Sequence, residues 1–401
     1  MHQSIKPGQP WLDTNGVRIQ AHAGYMLYVD GTFYWYGENK EKSVSEYEIW
    51  HWGVRLYSSR DLYNWQDEGL IMFPTPEDPN SPLHPQSKMD RPHIIYNEKT
   101  KKYVLWMKVM GPDMQYMSVA VADTIKGPFE IVNKKIHPGG MNSGDFDLVK
   151  FEDGKAVIVF ERVHKDMIVM DLTDDYLDTT VIHSVHYERP FPPYVREAPA
   201  VFFRKGKGYI ITSGTTAKMP NPSETATFDD IHGEWKILGN PHVDDAKNTS
   251  FDSQISCVFR HPHYEDLYIA MADRWLNDLT PDKPTGVEYY AALFDENYPM
   301  TPERRTELRN MSAREITARN TAMAEYVWLP IVFENDVPKI YWSDEWTIED
   351  AGTPLDDVET PRHLRCRPQH GRDLRSHRDG VEGGRAVYAD RSPASRQHHP
   401  R

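Results

Sequence analysis

One unit recurs along this chain and limits what it can fold into: an apolar strand, a tight polar turn, and a second strand rich in aromatic and β-branched residues. The first instance covers residues 24–38, where Asp30-Gly31 turns Tyr25-Met26-Leu27-Tyr28-Val29 back into Phe33-Tyr34-Trp35-Tyr36. Others cover 92–107, 146–160, 200–212 and 255–271, turning near residues 98–102, 153–154, 205–208 and 261–266. The unit returns roughly every 50 to 70 residues, a period long enough for one propeller blade. Further short strands, such as Val54-Arg55-Leu56-Tyr57-Ser58 and Met117-Ser118-Val119-Ala120-Val121, fill the intervals. Four strands per repeat, five times over, predict an all-β fold, a five-bladed β-propeller, over residues 1–350. Residues 326–333 and 339–342, turning at Asn335-Asp336, complete the fifth blade, and only 302–315 reads as an amphipathic helix. A hairpin-rich β-sandwich is the competing architecture.

After Trp346 the pattern stops. Residues 351–401 use Arg without Lys, are rich in His, Gly and Pro, and lack apolar periodicity, so they are expected to be disordered. Such a basic tail suits an acidic partner, although so abrupt a change also suits an unrelated or frame-shifted extension. The formal net charge of −14 over 401 residues disfavours nucleic acid and anionic membranes as partners, and no run approaches the roughly 20 apolar residues of a membrane span. Cys257 and Cys366 are too few for a disulfide framework and lack the spacing of a zinc site. Residues 1–7 lack the apolar run of a secretory signal, which predicts a cytoplasmic protein, or a secreted one if a leader precedes this sequence.

In a propeller the first strand of every blade starts at the central channel, so residues just before those strands converge. Here they are His22, Asp90, Asp145, Glu197 and Gln254, one polar side chain per blade. Three carboxylates facing one channel repel, which raises one pKa and leaves another low, as acid-catalysed glycoside hydrolysis requires. Strand-start carboxylates can instead pair with neighbouring arginines, and Arg91 and Arg196 stand ready for that. Glu197 stands out because Ala198-Pro199-Ala200 leaves it in small apolar surroundings that favour the neutral acid. Glu38, Glu161 and Asp273-Arg274 lie near the ends of second strands. The last two could hold vicinal hydroxyls or form a structural ion pair. Trp35, Tyr36, Trp50, Trp52, Tyr116, Trp275 and Trp328 offer flat faces for a sugar ring, or pack between blades.

The strings Phe33-Tyr34-Trp35-Tyr36-Gly37-Glu38, Tyr57-Ser58-Ser59-Arg60-Asp61-Leu62-Tyr63-Asn64-Trp65, Asp90-Arg91-Pro92-His93-Ile94-Ile95-Tyr96-Asn97 and Arg196-Glu197-Ala198-Pro199-Ala200 are similar to those of glycoside hydrolase family 43. With Thr212-Ser213-Gly214, Ser253-Gln254 and Ala272-Asp273-Arg274-Trp275 they resemble its exo-β-1,3-galactanase-like branch over about residues 18–348. The resemblance implies a five-bladed propeller that hydrolyses terminal sugars of plant glycans with inversion. Glu197 would be the general acid, Asp145 the carboxylate that tunes and orients it, and Asp90 a contact to the sugar. It implies an oligosaccharide or polysaccharide substrate and no required cofactor, and leaves open a metal ion in the channel.

Two positions depart from the pattern. The usual family base is an Asp on the first strand of blade one, and Ile19-Gln20-Ala21-His22-Ala23-Gly24 has no carboxylate. The galactanase-like branch also lacks that Asp and carries a Gln where this chain has Gln254. Gln254 would therefore position the water, through an imidic acid tautomer or with Asp90 or Glu38 sharing the task. The second departure is Thr215-Thr216-Ala217-Lys218, at a substrate-facing stretch where relatives often continue with Gly-Trp. The expected substrates are thus β-galactosides, with β-xylosides, α-L-arabinofuranosides or non-catalytic sugar binding as alternatives.

Overall fold

A computed structural model describes residues 1–44, 48–277, 283–312, 316–317 and 320–355. The hairpins of the sequence extend into antiparallel sheets taken in chain order. Blade one holds β1 (His22–Val29), β2 (Thr32–Glu38), β3 (Val54–Ser59) and β4 (Gln66–Met72). Blade two holds β5 (Lys88–Asn97), β6 (Lys102–Met110), β7 (Tyr116–Ala122) and β8 (Glu130–Ile136). Blade three has β9 (Ser143–Lys150), β10 (Ala156–Arg162), β11 (Asp166–Leu172) and β12 (Thr179–His186). Blade four has β13 (Arg196–Arg204), β14 (Lys207–Gly214), β15 (Glu224–Phe228) and β16 (Lys236–Gly239). The first strands contact one another in a closed cycle, β1 with β5, β5 with β9, β9 with β13, and both β13 and β1 with β18 (Gln254–Arg260) of the last sheet. That cycle is the ring of a five-bladed propeller, as the period predicts.

Local chemistry explains the hairpins. Asp30 (φ 48°) and Gly31 (φ 79°) form a two-residue turn with both central residues in the left-handed region, the geometry that matches strand twist. Val29 then pairs with Thr32, and the register continues to Tyr25 opposite Tyr36.

The fifth sheet differs from expectation by having five strands. Behind β18 come β20 (Tyr268–Arg274), β21 (Glu325–Glu334) and β22 (Val337–Tyr341), and β17 (His242–Val243) adds itself parallel to β22 at the outer edge. Between β20 and β21 the chain leaves the sheet, and the described residues there include the helices α1 (Gly286–Phe294) and α2 (Pro302–Asn310); the sequence suggested one helix spanning 302–315, of which 313–315 lie outside the described residues. Thr285 and Thr301 cap their N-termini, and Pro302 fits the first turn, where no intrahelical N–H is needed. Helix α1 escaped notice because a single charged side chain, Glu288, leaves little amphipathic contrast. Arg309 of α2 donates to Ala292 O at 2.8 Å, satisfying a carbonyl at the end of α1.

Blades one and five are joined by aromatic rings. Trp35 and Trp328 are fully buried with centroids 4.6 Å apart, and Trp11, from the N-terminal segment, packs on both. The same segment bridges Ile5 to Trp346 and Gln9 to Tyr326, tying the two ends of the propeller together. Trp35, Tyr36 and Trp328 are therefore core residues that a sugar does not reach, a correction to their candidacy as stacking surfaces. The chain continues in order to Leu355, with Thr353–Pro354 paired to Tyr264–Glu265. The rest of the tail expected from 351, and Cys366 with it, lies outside the described residues. Replacing Trp328 with Ala is expected to lower unfolding free energy by about 3–5 kcal/mol. Chemical denaturation with an unchanged m-value checks this.

Candidate active site

At the site end of every first strand the ladder skips, and three of these breaks share one backbone feature. The three fall between His22 and Tyr25 in β1, Asp90 and His93 in β5, and Glu197 and Ala200 in β13. In each break one non-glycine residue takes a left-handed conformation: Ala23 (φ 45°), Arg91 (φ 50°) and Ala198 (φ 51°). Pro92 and Pro199 follow two of them, supplying no N–H where the ladder needs none. Such bulges re-aim side chains. Here they turn Asp90 and Glu197 into the channel mouth.

The mouth encloses a cavity of about 270 Å³ whose wall includes Glu38, Asp90, Asp145, Glu197 and Gln254, one or more from every blade's inner strands. Cations intervene between the carboxylates. Lys108 sits opposite Asp90 in the β5–β6 register, and its ammonium reaches Asp90 Oδ2 at 2.9 Å and Asp145 Oδ1 at 2.7 Å. The Arg91 Nε takes the other Asp145 oxygen at 2.8 Å. Burial alone would raise the Asp145 pKa, but Arg91 and Lys108 outweigh it and hold the group down to about 2. Glu197 goes the other way. Burial, then the charges of Asp145 and Glu161, push its pKa well above the usual carboxylate range, against weaker opposition from Arg91 and Lys108. The cavity therefore joins one ionised carboxylate to one protonated carboxylic acid.

Gln254 links the two halves. Its Oε1 accepts from Arg91 Nη2 at 2.8 Å and from Trp275 Nε1 at 3.3 Å. Its Nε2 donates to Ser213 Oγ at 2.8 Å and Glu197 Oε1 at 3.2 Å. Guanidinium and indole groups only donate, so the amide oxygen must face them, and the orientation is fixed. Glu38 is buried with its pKa raised to about 7, chiefly by desolvation, although it accepts from Arg91 N and pairs with Lys40 at 2.7 Å. Trp50 Nε1 donates to Asp90 Oδ1 at 2.5 Å, and the indoles of Trp50 and Trp275 both line the cavity.

Other candidates fall outside this wall. His22 is fully buried behind it, with Nδ1 2.9 Å from Asp273 Oδ1 and its ring stacked on Tyr326. Asp273 also accepts from Ala23 N, so it fixes the β1 bulge instead of holding sugar hydroxyls. Arg274 neither pairs with Asp273 nor enters the cavity; it donates to Phe251 O and lies over Trp342. Thr215 is buried with its hydroxyl on Val195 O, Glu161 backs the site and accepts from His164 N, and Tyr116 is a half-buried rim residue under Lys135. Arg196 bonds Thr212 instead of Glu197. Among the described residues no group of three or more His, Cys, Asp or Glu is placed to hold a metal ion, and the cavity carboxylates already face cations.

Sequence reading missed Lys108, Arg91's bridging role, and Lys40. The available signal for Lys108 was one charge inside the apolar run Val104-Leu105-Trp106-Met107-Lys108-Val109-Met110.

The family model for glycosyl hydrolases family 43 matches residues 15–269 of this chain. The chain belongs to glycoside hydrolase family 43. Among solved structures, a family 43 β-1,3-galactosidase is 28% identical with a TM-score of 0.70, covering 88% of this chain and 65% of its own, so the chain spans just under two thirds of that protein. A second family 43 β-1,3-galactosidase, solved with galactodeoxynojirimycin, is also 28% identical, with a TM-score of 0.67 and coverage of 86% and 100%. An exo-β-1,3-galactanase from Phanerochaete chrysosporium, solved with galactose, shares the fold at 23% identity and a TM-score of 0.68, covering 89% and 71%. No curated protein matched the chain.

Gly37, just before Glu38, lies where a Cβ would meet the backbone of Ala21 at 2.4 Å and of His22 at 2.6 Å. Gly37→Ala is expected to cost about 1–3 kcal/mol by overpacking against the β1 bulge. A melting temperature equal to that of the parent protein would contradict this close approach.

Proposed function

We propose that this family 43 protein removes terminal β-linked galactose from a glycan chain, acting from the end and with inversion at the anomeric carbon. The observation that carries the reading is the pair formed by protonated Glu197 and ionised Asp145 in one cavity. Galactose is favoured by the two β-1,3-galactosidases at 28% identity, one of them solved with a galactose-like inhibitor. A cavity of about 270 Å³ lies at the small end of ligand sites and suits a terminal ring.

In this reading Glu197 gives its proton to the glycosidic oxygen as the bond to the anomeric carbon breaks. A water attacks the opposite face and must lose a proton. In this reading Gln254 is not the group that takes it. Its oxygen already accepts from two groups that only donate, which leaves no place for the O–H of an imidic acid, and its nitrogen uses both hydrogens. Asp90 is the remaining carboxylate on the cavity wall, because Asp145 is held at both oxygens by Arg91 and Lys108 and Glu38 is driven toward the neutral form. Asp90 is therefore assigned as base, with Gln254 steering the acid. Ala217 and Lys218, where relatives often carry Gly-Trp, stand on the same wall and favour a second reading, a β-xyloside or α-L-arabinofuranoside substrate.

Glu197→Gln is expected to reduce kcat/KM on an aryl β-galactoside and on β-1,3-galactan by about 10²–10⁴-fold with folding intact. Absence of turnover by the parent protein on β-galactosides, β-xylosides and α-arabinofuranosides would defeat the enzyme reading. Asp145→Asn removes a charge that raises the Glu197 pKa, so the acid loses its proton at lower pH. The basic limb of the pH–rate profile should then move down, and a limb that stays in place would show that Asp145 does not tune the acid.

A further inference from the structure

Lys108 belongs to no motif that identifies the family, and its position is unusual for a lysine. It lies near the end of β6 with apolar neighbours on both sides, is 4% exposed, and places one ammonium between two carboxylates from different blades. The neighbouring charges are Asp90 and Arg91 on β5, Asp145 on β9, Glu161 on β10, Glu197 on β13, and Glu38 with Lys40 at the blade-one wall. Arg91 already holds one oxygen of Asp145, so Lys108 is the group that ties the remaining oxygen of Asp145 to Asp90.

We infer that Lys108 is a positioning residue whose ammonium, shared between Asp90 Oδ2 and Asp145 Oδ1, fixes the base against the acid's neighbour and sets the pH window in which both halves of the reaction operate. This assignment rests on the hydrolytic reading above. The sign of its effect is set by the surrounding charges. Without the Lys108 cation only Arg91 opposes burial at Asp145, which then takes up a proton at higher pH and no longer sits ionised beside Glu197, so the acid limb rises. Glu197 also loses a positive neighbour that favours its ionised form, so it keeps its proton to higher pH and the basic limb rises too. The whole bell moves in one direction, whereas loosened packing lowers its height and leaves its limbs in place.

The test is the pH dependence of kcat/KM for aryl β-galactoside hydrolysis by the parent protein, Lys108→Gln and Lys108→Arg, with Glu197→Gln as control. Lys108→Gln should displace both limbs upward by about one pH unit or more and lose about tenfold or more activity at the parent optimum. Lys108→Arg keeps the charge and should hold the limbs within a few tenths of a unit while kcat falls, because a planar fork cannot reproduce the shared ammonium. If Lys108→Gln does not fold, Lys108→Met provides the same neutral comparison. Limbs unmoved in the neutral variant, or moved equally by Arg and by Gln, overturn the inference. If Glu197→Gln retains parental activity, it is the hydrolytic reading that fails, whatever Lys108 does.

Discussion

Two buried cations facing two buried carboxylates are the constraint on which the site depends. Taking Asp90, Asp145, Arg91 and Lys108 out of water is costly, and the cost is offset only while each charge keeps its partner. The pairing also dictates backbone geometry. Arg91 reaches Asp145 from the bulge after Asp90, and Lys108 reaches both because β6 places it directly opposite Asp90. Arg91 then orients the Gln254 amide, which in turn donates to Glu197. One ion network thus runs from blade two through blades three and five to blade four.

Such a network needs a rigid frame, because its members come from separate sheets. The ring supplies this through contact between successive first strands, and it closes where blade five meets blade one. That junction carries Trp11, Trp35, Trp65 and Trp328 in edge-on and tilted contacts, with the N-terminal segment bridged to residues beyond the last blade. The buried aromatic density of the chain therefore serves closure first. Trp50 and Trp275, at 8% and 9% exposure, are the indoles among the described residues that line the cavity.

The period of the hairpins made the fold legible, since an apolar strand, a polar turn and an aromatic strand depend on local chemistry alone. Among site residues, Asp90, Asp145, Glu197 and Gln254 were legible for the same reason: a strand start in a propeller has one destination. His22 obeyed that rule in sequence and breaks it in space, because the bulge at Ala23 turns it into a buried pair with Asp273. Nothing local announces that pairing across 251 positions. Asp273-Arg274 failed through strand alternation, as adjacent residues point to opposite faces and cannot grip one sugar together. Lys108 was hidden by the opposite problem. A lone lysine in an apolar strand looks like an edge or surface residue until the register shows what it faces.

The absence of the blade-one aspartate takes on a different meaning against this geometry. His22 occupies that strand start and is sealed by Asp273, Gln20 and Tyr326, so blade one contributes no first-strand carboxylate to the cavity and no vacancy that another could fill. Blade one instead sends Glu38 from its second strand, paired with Lys40 and displaced toward the neutral form. The base of the proposed mechanism must then come from a neighbour that stays oriented and faces the cavity. Asp90 meets both conditions through Trp50 on one oxygen and Lys108 on the other. Each oxygen keeps a lone pair beyond its donor, so a water can still be accepted there. In the proposed mechanism the base moved by one blade has a cation beside it, Lys108 on the next strand of the same blade.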